Sequence, residues 1–527
     1  MTEFSSIGEL VAQKAASDPD FPALTFECEG ADEVRTSRQL WDNGRRIAVR
    51  LAALGLAGGD RFGLLMQNHP EFVEAMIASS ILGTVFVPLD PRAKGARLRY
   101  LLEDSACRGV ICGDYALANL TEIAPSLDKL TWALVLGAAP GARPNGLRVV
   151  SMSDALAPAV PDLMAPRVGA AEPMQVMYTS GTTGDPKGIM INHARFVAVA
   201  HHGEQLFGFR SDDRPYTGLS LTHGNAQFVT LASSLKMGLP AVVSRKFTKS
   251  RLWEILRRYR CTTFTLLGGM ATAIYSEPAK PDDGDNPVRF VVSAGMPAAI
   301  WKDFARRFDV EIVEFYAAVE GGFSINPAGV GPVGSCGRVA PGLIAKLVDD
   351  QGDEVPPGTQ GEILFGMADG SPANVQYLNN PEASARKTAG GWLHSGDVVT
   401  MDADGWLFYA YRKGSGIRHN GEFVSAALVE KILAEHDDVD DVFVYGIPGA
   451  SGAPGEKDIV AAIVPRGAVE RRSLFCWARE RLEPNSVPSF VQIVSEIPKT
   501  ASEKPQERFL IEMLKSDPAS VHELEGE

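Results

Sequence analysis

The order of apolar and polar positions divides the first part of the chain into alternating helices and strands. Helical spacing predicts helices at 7–16, 38–54, 71–82 and 94–104. Apolar runs of strand length predict strands at 22–27, 61–66, 84–87, 109–112 and 130–136. Strands that alternate with amphipathic helices are typical of parallel sheets joined by crossover helices. The pattern therefore predicts an α/β fold built in layers.

The same alternation returns after residue 250 and then gives way to hairpins. Helices are predicted at 250–259 and 298–308, with strands at 262–267, 290–292 and 311–315. Predicted strands at 343–349 and 361–365 enclose Asp350-Gln351-Gly352, which indicates a β-hairpin rather than another crossover. Beyond residue 417 the chain predicts a small α+β domain, with helices at 426–435 and 473–482 and strands at 441–445, 458–464 and 490–494.

Length and charge narrow the classes of function. A chain of 527 residues is too long for one hydrophobic core, which predicts two or more domains. The net charge of −14 argues against a nucleic-acid partner, because binding many phosphates requires a basic surface. The uncharged run from Ala75 to Leu89 is shorter than the roughly 20 apolar residues that a membrane span needs.

The N-terminus and the cysteines predict a cytoplasmic location. Glu3 and Glu9 interrupt the region where a signal peptide would need an apolar segment. The six cysteines are scattered without zinc-binding or disulfide spacing, so buried thiols in a reducing compartment are expected. The acidic tail, 517–527, is predicted to lack ordered structure.

One stretch concentrates the chemistry of anion binding: Tyr178-Thr179-Ser180-Gly181-Thr182-Thr183-Gly184-Asp185-Pro186-Lys187-Gly188. It lies between two strand-like apolar segments, 173–178 and 189–191, and Asn192 is a predicted helix cap. Its glycines, hydroxyls and lysine offer many hydrogen-bond donors with little bulk, as nucleotide phosphates require. It is not a Walker A loop, in which Ser or Thr follows the lysine and a helix follows the loop. A plain hairpin turn rich in Gly and Thr is the alternative.

This string resembles the phosphate-binding loop of the adenylate-forming superfamily, which includes acyl-CoA synthetases, luciferases and the adenylation domains of peptide synthetases. The resemblance implies a large N-terminal domain (1–411) of layered α/β subdomains plus a β-rich subdomain. It also implies a hinge (412–416) and a mobile α+β C-terminal domain (417–527). ATP, Mg²⁺ and coenzyme A would be the cofactors. The nucleotide-binding residues implied within the loop are Thr179, Ser180, Gly181, Thr182, Thr183, Gly184 and Lys187, and Thr179 would also be catalytic.

A second motif, Tyr316-Ala317-Ala318-Val319-Glu320, resembles the superfamily pattern Tyr-Gly-x-Thr-Glu. The resemblance implies that Tyr316 stacks on adenine and that Glu320 holds Mg²⁺, with Gly295 and Val319 also at the nucleotide. Carboxylate and phosphate oxygens together suit this hard cation. Val319 replaces a threonine that contacts phosphate, and losing one such donor can cost roughly 10²–10³ in rate.

Asp397 and Arg412 match residues that contact ribose in the superfamily. Asp397 follows Gly391-Trp392-Leu393, and a carboxylate can accept two hydroxyl hydrogen bonds from the ribose diol. Arg412 opens the stretch that resembles the hinge. Ser415 stands where many relatives carry Asp or Lys, and the flanking Gly414 and Gly416 tolerate large backbone changes.

Near the C-terminus, residues 498–505 resemble the pattern Pro-Lys-Thr-x-Ser-Gly-Lys, which makes Lys504 the implied catalytic lysine. Glu503 and Pro505 depart from that pattern. Gly421 matches the place where relatives meet the pantetheine arm of coenzyme A. A hinge would allow Lys504 and Gly421 to act in successive half-reactions.

The sequence says less about the carboxylic acid substrate than about ATP or coenzyme A. Candidates for its pocket, given by their position in the superfamily, are His223, Asn225, Gln227, Gly268, Gly269, Ala294, Ala317 and Ala318. Asn225 and Gln227 indicate a polar or modest-sized acid. The stretches 266–270 and 294–297 resemble carnitine/crotonobetaine CoA ligases.

The resemblance implies an ATP-dependent ligase that forms acyl-AMP and pyrophosphate, and then acyl-CoA and AMP. One alternative is an adenylating enzyme that charges a separate acyl carrier protein. Another is a nucleotide-binding member of the superfamily that has no catalytic activity. This alternative is favoured by the departures from the superfamily patterns at Val319, Ser415, Glu503 and Pro505. The oligomeric state is left open.

Overall fold

The computed structural model describes residues 4–523, except 139–145, 158, 160–167, 180–185, 414–416, 420–421, 425, 450–456, 468, 483, 501–502 and 518–519. The chain divides into two compact units. The first comprises Met1–Phe247, Arg258–Thr265 and Asn374–Thr388, and the second comprises Thr248–Arg257, Leu266–Ala373 and Ala389–Glu527. The domain limits at 411 and 417 stay a prediction, because residues 414–416 lie outside the described residues.

The helices alternate with strands along most of the chain. Their bounds are α1 (Ile7–Ser17), α2 (Ser37–Ala53), α3 (Pro70–Leu82), α4 (Gly95–Asp104), α5 (Asp114–Ile123), α6 (Met152–Leu156), α7 (His193–Gln205), α8 (Ser233–Met237), α9 (Leu252–Tyr259), α10 (Gly268–Tyr275), α11 (Ala298–Phe308), α12 (Pro381–Lys387), α13 (Ala426–Ala434), α14 (Arg471–Arg481) and α15 (Glu507–Ser516). A π-helical segment, Asn225–Ala232, runs directly into α8. Short 3₁₀ turns occur at Ala124–Ser126, Lys249–Arg251, Ala389–Gly391 and Pro484–Ser486.

Most strands are short. Their bounds are β1 (Pro22–Glu27), β2 (Glu33–Thr36), β3 (Arg61–Leu65), β4 (Val85–Leu89), β5 (Gly109–Gly113), β6 (Trp132–Leu136), β7 (Arg148–Ser151), β8 (Pro173–Tyr178), β9 (Gly188–Asn192), β10 (Pro215–Thr217), β11 (Ala241–Ser244), β12 (Thr263–Leu267), β13 (Phe290–Ala294), β14 (Glu311–Ala318), β15 (Gly321–Asn326), β16 (Arg338–Val339), β17 (Leu343–Val348), β18 (Gln360–Met367), β19 (Leu393–Met401), β20 (Leu407–Arg412), β21 (Ile417–His419), β22 (Glu422–Val424), β23 (Val439–Pro448), β24 (Lys457–Pro465), β25 (Phe490–Ile493) and β26 (Val521–Glu523).

The first unit contains a seven-stranded sheet in the order β7-β6-β5-β3-β4-β8-β9. All neighbours in it are parallel except β8 and β9, which form an antiparallel pair. Every residue of β4 and β5 is buried, as expected for central parallel strands covered by helices on both faces. The predicted arrangement of strand, loop and strand around the Gly/Thr-rich stretch is confirmed.

A second set of strands in the first unit runs in the order β2-β1-β11-β10-β12, with β1, β11, β10 and β12 parallel. Asn68, in the turn after β3, connects this set to the seven-stranded sheet. Its side-chain amide donates to the carbonyls of Leu219 and Ser244, and its oxygen accepts from the N–H of Leu221. Fully satisfied buried amides of this kind fix the relative position of the segments they join.

The second unit combines four groups of strands, one of which is the antiparallel pair β21 and β22. β13 and β14 are parallel, and β15 and β16 continue from β14 as antiparallel neighbours. β17 to β20 form an antiparallel meander, which confirms the predicted hairpin at 343–349 and 361–365. Nearer the C-terminus, β23 to β26 form a mixed sheet, and its core residues include Val429, Leu433, Ile459, Ala461 and Leu474.

Three expectations from the sequence are wrong in detail. Val521–Glu523, within the tail that was expected to lack order, forms β26 and pairs with β25. The cysteines are not all buried, since Cys28 is half-buried and Cys476 is exposed. Gly268 and Gly269 begin the helix α10, where the apolar spacing had not predicted a helix. Of the helices formed by the described residues, none combines the length and apolar character that crossing a membrane requires.

Candidate active site

The two ends of the Gly/Thr-rich loop are joined in the first unit. Tyr178 pairs with Gly188 in the antiparallel register of β8 and β9, and the N–H of Thr179 donates to the carbonyl of Lys187 at 3.1 Å. Thr179 and Lys187 therefore face each other across the base of the loop. Ser180, Gly181, Thr182, Thr183 and Gly184 lie outside the described residues.

Side chains from α4 hold this base on both sides. The Tyr178 hydroxyl donates to the Asp104 carboxylate at 2.6 Å, and the Tyr100 hydroxyl donates to the carbonyl of Pro186 at 3.0 Å. Burial and the nearby Asp104 carboxylate raise the pKa of Tyr178, so the hydroxyl stays a donor. The Lys187 ammonium lies 5.7 Å from the centre of the Tyr377 ring, within the range of a cation–π contact.

We expect Tyr178→Phe to raise the KM for ATP about ten-fold, because a hydrogen bond to a charged partner contributes about 1.5–3 kcal/mol and this one orders the loop base. The KM for the acid should change much less. The measurement is pyrophosphate release at varied ATP concentration. Tyr115→Phe is the matched control, since the Tyr115 hydroxyl accepts from the N–H of Gln67 instead. An unchanged KM for ATP in Tyr178→Phe would contradict the role of this pair.

In the second unit, three of the predicted nucleotide-binding side chains meet. Asp397 and Arg412 are directly opposed in the register of β19 and β20, and their Oδ1 and Nη1 atoms lie 3.8 Å apart. The Tyr316 hydroxyl donates to Oδ2 of Asp397 at 2.7 Å. Asp397 is only 4% exposed, so its charge is balanced chiefly by these neighbours.

The electrostatics of this cluster follow from burial and opposite charge. Burial and the Asp397 charge raise the pKa of Tyr316, which keeps its hydroxyl protonated. Burial opposes the charge on Arg412, but the Asp397 and Glu320 carboxylates raise the pKa of that guanidinium. Arg412 thus stays cationic beside two carboxylates and the Tyr316 ring.

Lys504 lies in the same cluster although it is about ninety residues further along the chain. Burial lowers the pKa of Lys504, the positive charge of Arg412 lowers it further, and Asp397 partly offsets both effects. Lys504 is nevertheless an exposed residue, so its ammonium is accessible to a ligand from solvent. A partly desolvated ammonium next to an arginine is suited to an incoming anion, which would relieve the repulsion between the two cations.

The backbone around Lys504 forms a tight turn. Lys499 and Pro505 pair across the turn as an antiparallel β-bridge. The N–H of Thr500 donates to the carbonyl of Lys504 at 2.8 Å. Glu503 has a left-handed φ of 60°. Lys499 anchors the turn through an ion pair with Asp441 at 2.5 Å. The sequence pattern places a glycine where Glu503 stands, and the structure keeps the backbone conformation that a glycine would favour.

Val319 and Glu320 form the two-residue turn between β14 and β15, next to the paired residues Ala318 and Gly321. The Glu320 carboxylate is close enough to Arg412 to raise its pKa. Among the described residues there is no group of three or more His, Cys, Asp or Glu side chains that could hold a metal ion. One carboxylate is nevertheless sufficient for Mg²⁺ when nucleotide phosphates supply further oxygens.

Small residues collect at the ends of neighbouring strands in the second unit. Ala294 ends β13, Gly295 follows it with a φ of 94°, and Ala317 lies near the end of β14. A Cβ on Gly268 would lie 2.3 Å from the carbonyl oxygen of Gly295, so two backbones are packed directly together here. A Cβ on Gly269 would lie 3.5 Å from the carbonyl oxygen of Glu503, so the Lys504 turn rests against the start of α10.

The remaining pocket candidates lie in the first unit. The N–H of Asn225 donates to Nδ1 of His223 at 3.2 Å. The Gln227 side-chain oxygen accepts from the Gln175 amide, and the Gln227 side-chain nitrogen donates to the carbonyl of Leu221. The Asn225 side chain is 6% exposed, and neither its amide nitrogen nor its oxygen has a hydrogen-bond partner among the residues that the structure describes. The Gly421 and Ser415 predictions fall outside the described residues.

Two groups of residues at these sites were missed from the sequence. Asp104 and Tyr100 hold the loop base but precede it by more than seventy residues, and nothing local marks them. Glu314 is 3% exposed and accepts hydrogen bonds from the backbone of Gly295 and Met296. Its place in the apolar run Glu311-Ile312-Val313-Glu314-Phe315 was the available signal, since a carboxylate inside a buried strand requires an explanation.

Two models of known protein families match this chain. The model of the family described as AMP-binding enzyme matches residues 11–369, and that of the AMP-binding enzyme C-terminal domain matches residues 428–504. The chain belongs to the AMP-binding enzyme family. The first of these matches alone covers more than half of the chain and contains the Gly/Thr-rich loop and the motif from Tyr316 to Glu320.

Individual relatives of this AMP-binding enzyme are CoA ligases. A medium/long-chain-fatty-acid–CoA ligase of Mycobacterium marinum is 31% identical over 453 residues, which are 85% of each chain. A crotonobetaine/carnitine–CoA ligase of Salmonella paratyphi A is 27% identical over 493 residues, 92% of this chain and 95% of the relative. The crystal structure of an anthranilate CoA ligase in complex with anthranoyl-AMP superposes with a TM-score of 0.84 at 25% identity, covering 98% of this chain and 99% of that one.

These matches confirm the predictions of the superfamily, the α/β fold with its smaller C-terminal part, and an ATP-dependent acid:CoA ligase that works through an acyl-adenylate. The roles of individual residues and the identity of the acid substrate are proposals.

Proposed function

We propose that this AMP-binding enzyme joins a medium- or long-chain fatty acid to coenzyme A, and that Lys504, Arg412, Asp397 and Tyr316 hold the nucleotide while the adenylate forms. The observation that carries the assignment of residues is that these four side chains, far apart in sequence, meet in one cluster. Arg412 and Lys504 supply positive charge, and Asp397 supplies an acceptor for ribose hydroxyls.

In the first half-reaction, a carboxylate oxygen of the acid attacks the α-phosphorus of ATP and pyrophosphate departs. Both reactants are anions, so the enzyme has to neutralise the negative charge that accumulates around the phosphorus. Lys504 is the cation with the lowered pKa, and the phosphates would replace the water it has lost. Thr179 and Lys187 act at the loop base, where Tyr178 and Asp104 restrict their motion.

In the second half-reaction, the coenzyme A thiolate attacks the acyl carbon and AMP leaves, which forms the thioester. No protein nucleophile is required. We assign the approach of the thiol to the stretch around Gly421, as the sequence predicts, and the movement between the two half-reactions to residues 412–416. Separate sites for the lysine and the thiol explain why the two half-reactions can be inactivated independently.

Glu320 fits a magnesium ion bound jointly with nucleotide phosphates. It stands half-buried in the turn between two strands, and its carboxylate lies close enough to Arg412 to raise the pKa of that guanidinium. When bound, Mg²⁺ would neutralise phosphate charge. Val319 offers no hydroxyl at the neighbouring position, so Glu320 and the loop hydroxyls carry more of the phosphate contacts.

The small residues at the strand ends support an acid without a second charge. Ala294 and Ala317 are small and carry no group that would balance a trimethylammonium, whose recognition needs aromatic faces or a carboxylate. The relative with 31% identity acts on fatty acids by its name. A polar acid, which Asn225 and Gln227 suggest, is the alternative outcome of the test. The cytoplasmic location stays a prediction.

The test is a pyrophosphate-release screen with medium- and long-chain fatty acids, crotonobetaine, carnitine, benzoate and anthranilate, each with ATP and Mg²⁺. We expect the highest kcat/KM with fatty acids, and thioester formation when coenzyme A is added. Activity confined to betaine or aromatic acids would overturn the proposed acid class. Thioester formation on an acyl carrier protein but not on coenzyme A would favour the carrier-charging alternative. ATP binding without pyrophosphate release from any acid would favour the non-catalytic one.

A further inference from the structure

A buried carboxylate lies beneath the predicted nucleotide site and has no place in the chemistry described so far. Glu314 is on β14, two residues before Tyr316, so the two side chains lie on the same face of the strand. Its residue partner in the parallel register is Ser293 on β13. The carboxylate therefore sits where β13 ends and the chain turns.

The carboxylate binds that turn directly. Its Oε1 accepts the N–H of Gly295 at 2.5 Å, and both of its oxygens lie 3.2 Å from the N–H of Met296. Two successive backbone N–H groups thus converge on one side chain. Gly295 is in the left-handed region with a φ of 94°, which glycine alone adopts without strain.

The turn is restrained from the opposite side as well. The carbonyl oxygen of Gly295 packs so closely on Gly268 that a methyl group there would lie 2.3 Å from it. The N–H of Gly295 is held by Glu314 and its carbonyl by this contact with α10. The peptide planes on either side of Gly295 have little freedom once both restraints are present.

A role in fold stability alone does not account for the choice of a carboxylate. Burial raises the pKa of Glu314 to about 8, and the Ser293 side chain and the two N–H donors only partly oppose that effect. In the described part of the chain, no lysine or arginine forms an ion pair with Glu314. A buried acid without a cationic partner is costly, so the geometry that it imposes on the turn is the feature that explains its presence.

We propose that Glu314 is a positioning residue that fixes the backbone of Gly295 and Met296 for the nucleoside part of ATP. It does so by accepting the two N–H groups, and it acts through the backbone without touching the reacting atoms. The inference rests on the proposed function, because it takes Gly295 and Tyr316 to be nucleotide-binding. Variants of Glu314 that lose these hydrogen bonds should therefore bind ATP more weakly and use the acid normally.

Three substitutions separate hydrogen bonding from size and acidity. Glu314→Gln keeps an acceptor oxygen at the same distance and removes the ionisable proton. Glu314→Met keeps the volume and removes the acceptor. Glu314→Asp keeps the acid but withdraws it by one methylene, beyond simultaneous reach of both N–H groups. We expect Glu314→Gln to stay within about three-fold of the wild type for ATP, and the other two to raise the KM for ATP about ten-fold, in line with the loss of a hydrogen bond that leaves a buried donor unsatisfied.

The measurement is the KM for ATP and the KM for the acid in pyrophosphate release, together with the Kd for ATP by titration calorimetry. A rise confined to ATP in Glu314→Met and Glu314→Asp, with rescue in Glu314→Gln, supports the inference. Equal shifts for ATP and acid, no shift in either variant, or a Gln variant as impaired as the Met variant would overturn it. If Glu314→Met does not fold, the comparison of Glu314→Asp with Glu314→Gln decides. The calorimetric Kd needs no acid, so failure of the proposed function would appear separately, as absent pyrophosphate release by the wild type.

Discussion

Replacing Lys504 by alanine should lower pyrophosphate release from acid and ATP by about 10²–10³-fold, the usual effect of removing one group that stabilises charge in a transition state. Thioester formation from a supplied acyl-adenylate should change little, because the anhydride is already formed and the thiol attacks a neutral acyl carbon. The two half-reactions are measured separately, one by pyrophosphate release and the other by thioester formation with coenzyme A.

Two companion variants make this result specific. Lys515→Ala removes an exposed lysine at the end of α15 and should leave both half-reactions unchanged. Lys504→Arg should retain part of the adenylation. In the wild type, adenylation should decline with rising pH at a pH below the ordinary pKa of lysine, because the pKa of Lys504 is lowered and the neutral amine cannot offset phosphate charge. Arginine keeps its proton in that range, so this decline should be absent in Lys504→Arg. An equal loss of both half-reactions in Lys504→Ala would contradict the assigned role.

Asp397→Asn should reduce kcat/KM for ATP by about 10²-fold with little change in the KM for the acid. The substitution removes the charge that faces Arg412 at 3.8 Å, and it replaces one of the two acceptor oxygens with a donor beside the Tyr316 hydroxyl. The Arg412 side chain is 40% exposed and Glu320 stays near it, so the expected loss comes from the contacts that Asp397 itself makes and not from an uncompensated buried charge. Steady-state kinetics at varied ATP measure the effect.

Asp404→Asn is the matched control, because Asp404 is exposed in the turn between β19 and β20. It should have wild-type kinetics. A loss of kcat/KM in Asp397→Asn that is shared equally between ATP and the acid would show that the substitution disturbs the sheet rather than the ribose contacts. Thermal unfolding of both variants separates that case from a local effect.

The Gly/Thr-rich loop and the motif from Tyr316 to Glu320 could be recognised because each lies at the end of a strand, where local pattern and position in the fold coincide. The registers of β14, β19 and β20 then bring Tyr316, Asp397 and Arg412 together. Lys504 was predicted from its resemblance, and its neighbours could not be inferred from spacing, since no pattern of apolar residues specifies which surface a distant turn contacts.

The misses share a physical cause, which is that tertiary contacts override local preference. Asp104 and Tyr178 are a buried hydrogen-bonded pair only because α4 packs beside β8. Val521–Glu523 is polar and acidic, yet the edge of β25 offers backbone donors and acceptors that an isolated tail lacks. The helix α10 begins with two glycines, which are poor helix formers, and its apolar interior is stabilised by burial.

The left-handed backbone of Glu503 has a consequence for how the lysine meets its substrate. A residue with a Cβ costs of order 1 kcal/mol in that conformation, and the turn retains it between two hydrogen bonds and Pro505. Pro505 has a fixed φ and disfavours helical backbone at Lys504, the residue before it, so the unbound turn has fewer alternative shapes. Less conformational entropy is therefore lost each time the ammonium is presented, and this offsets part of the strain at Glu503.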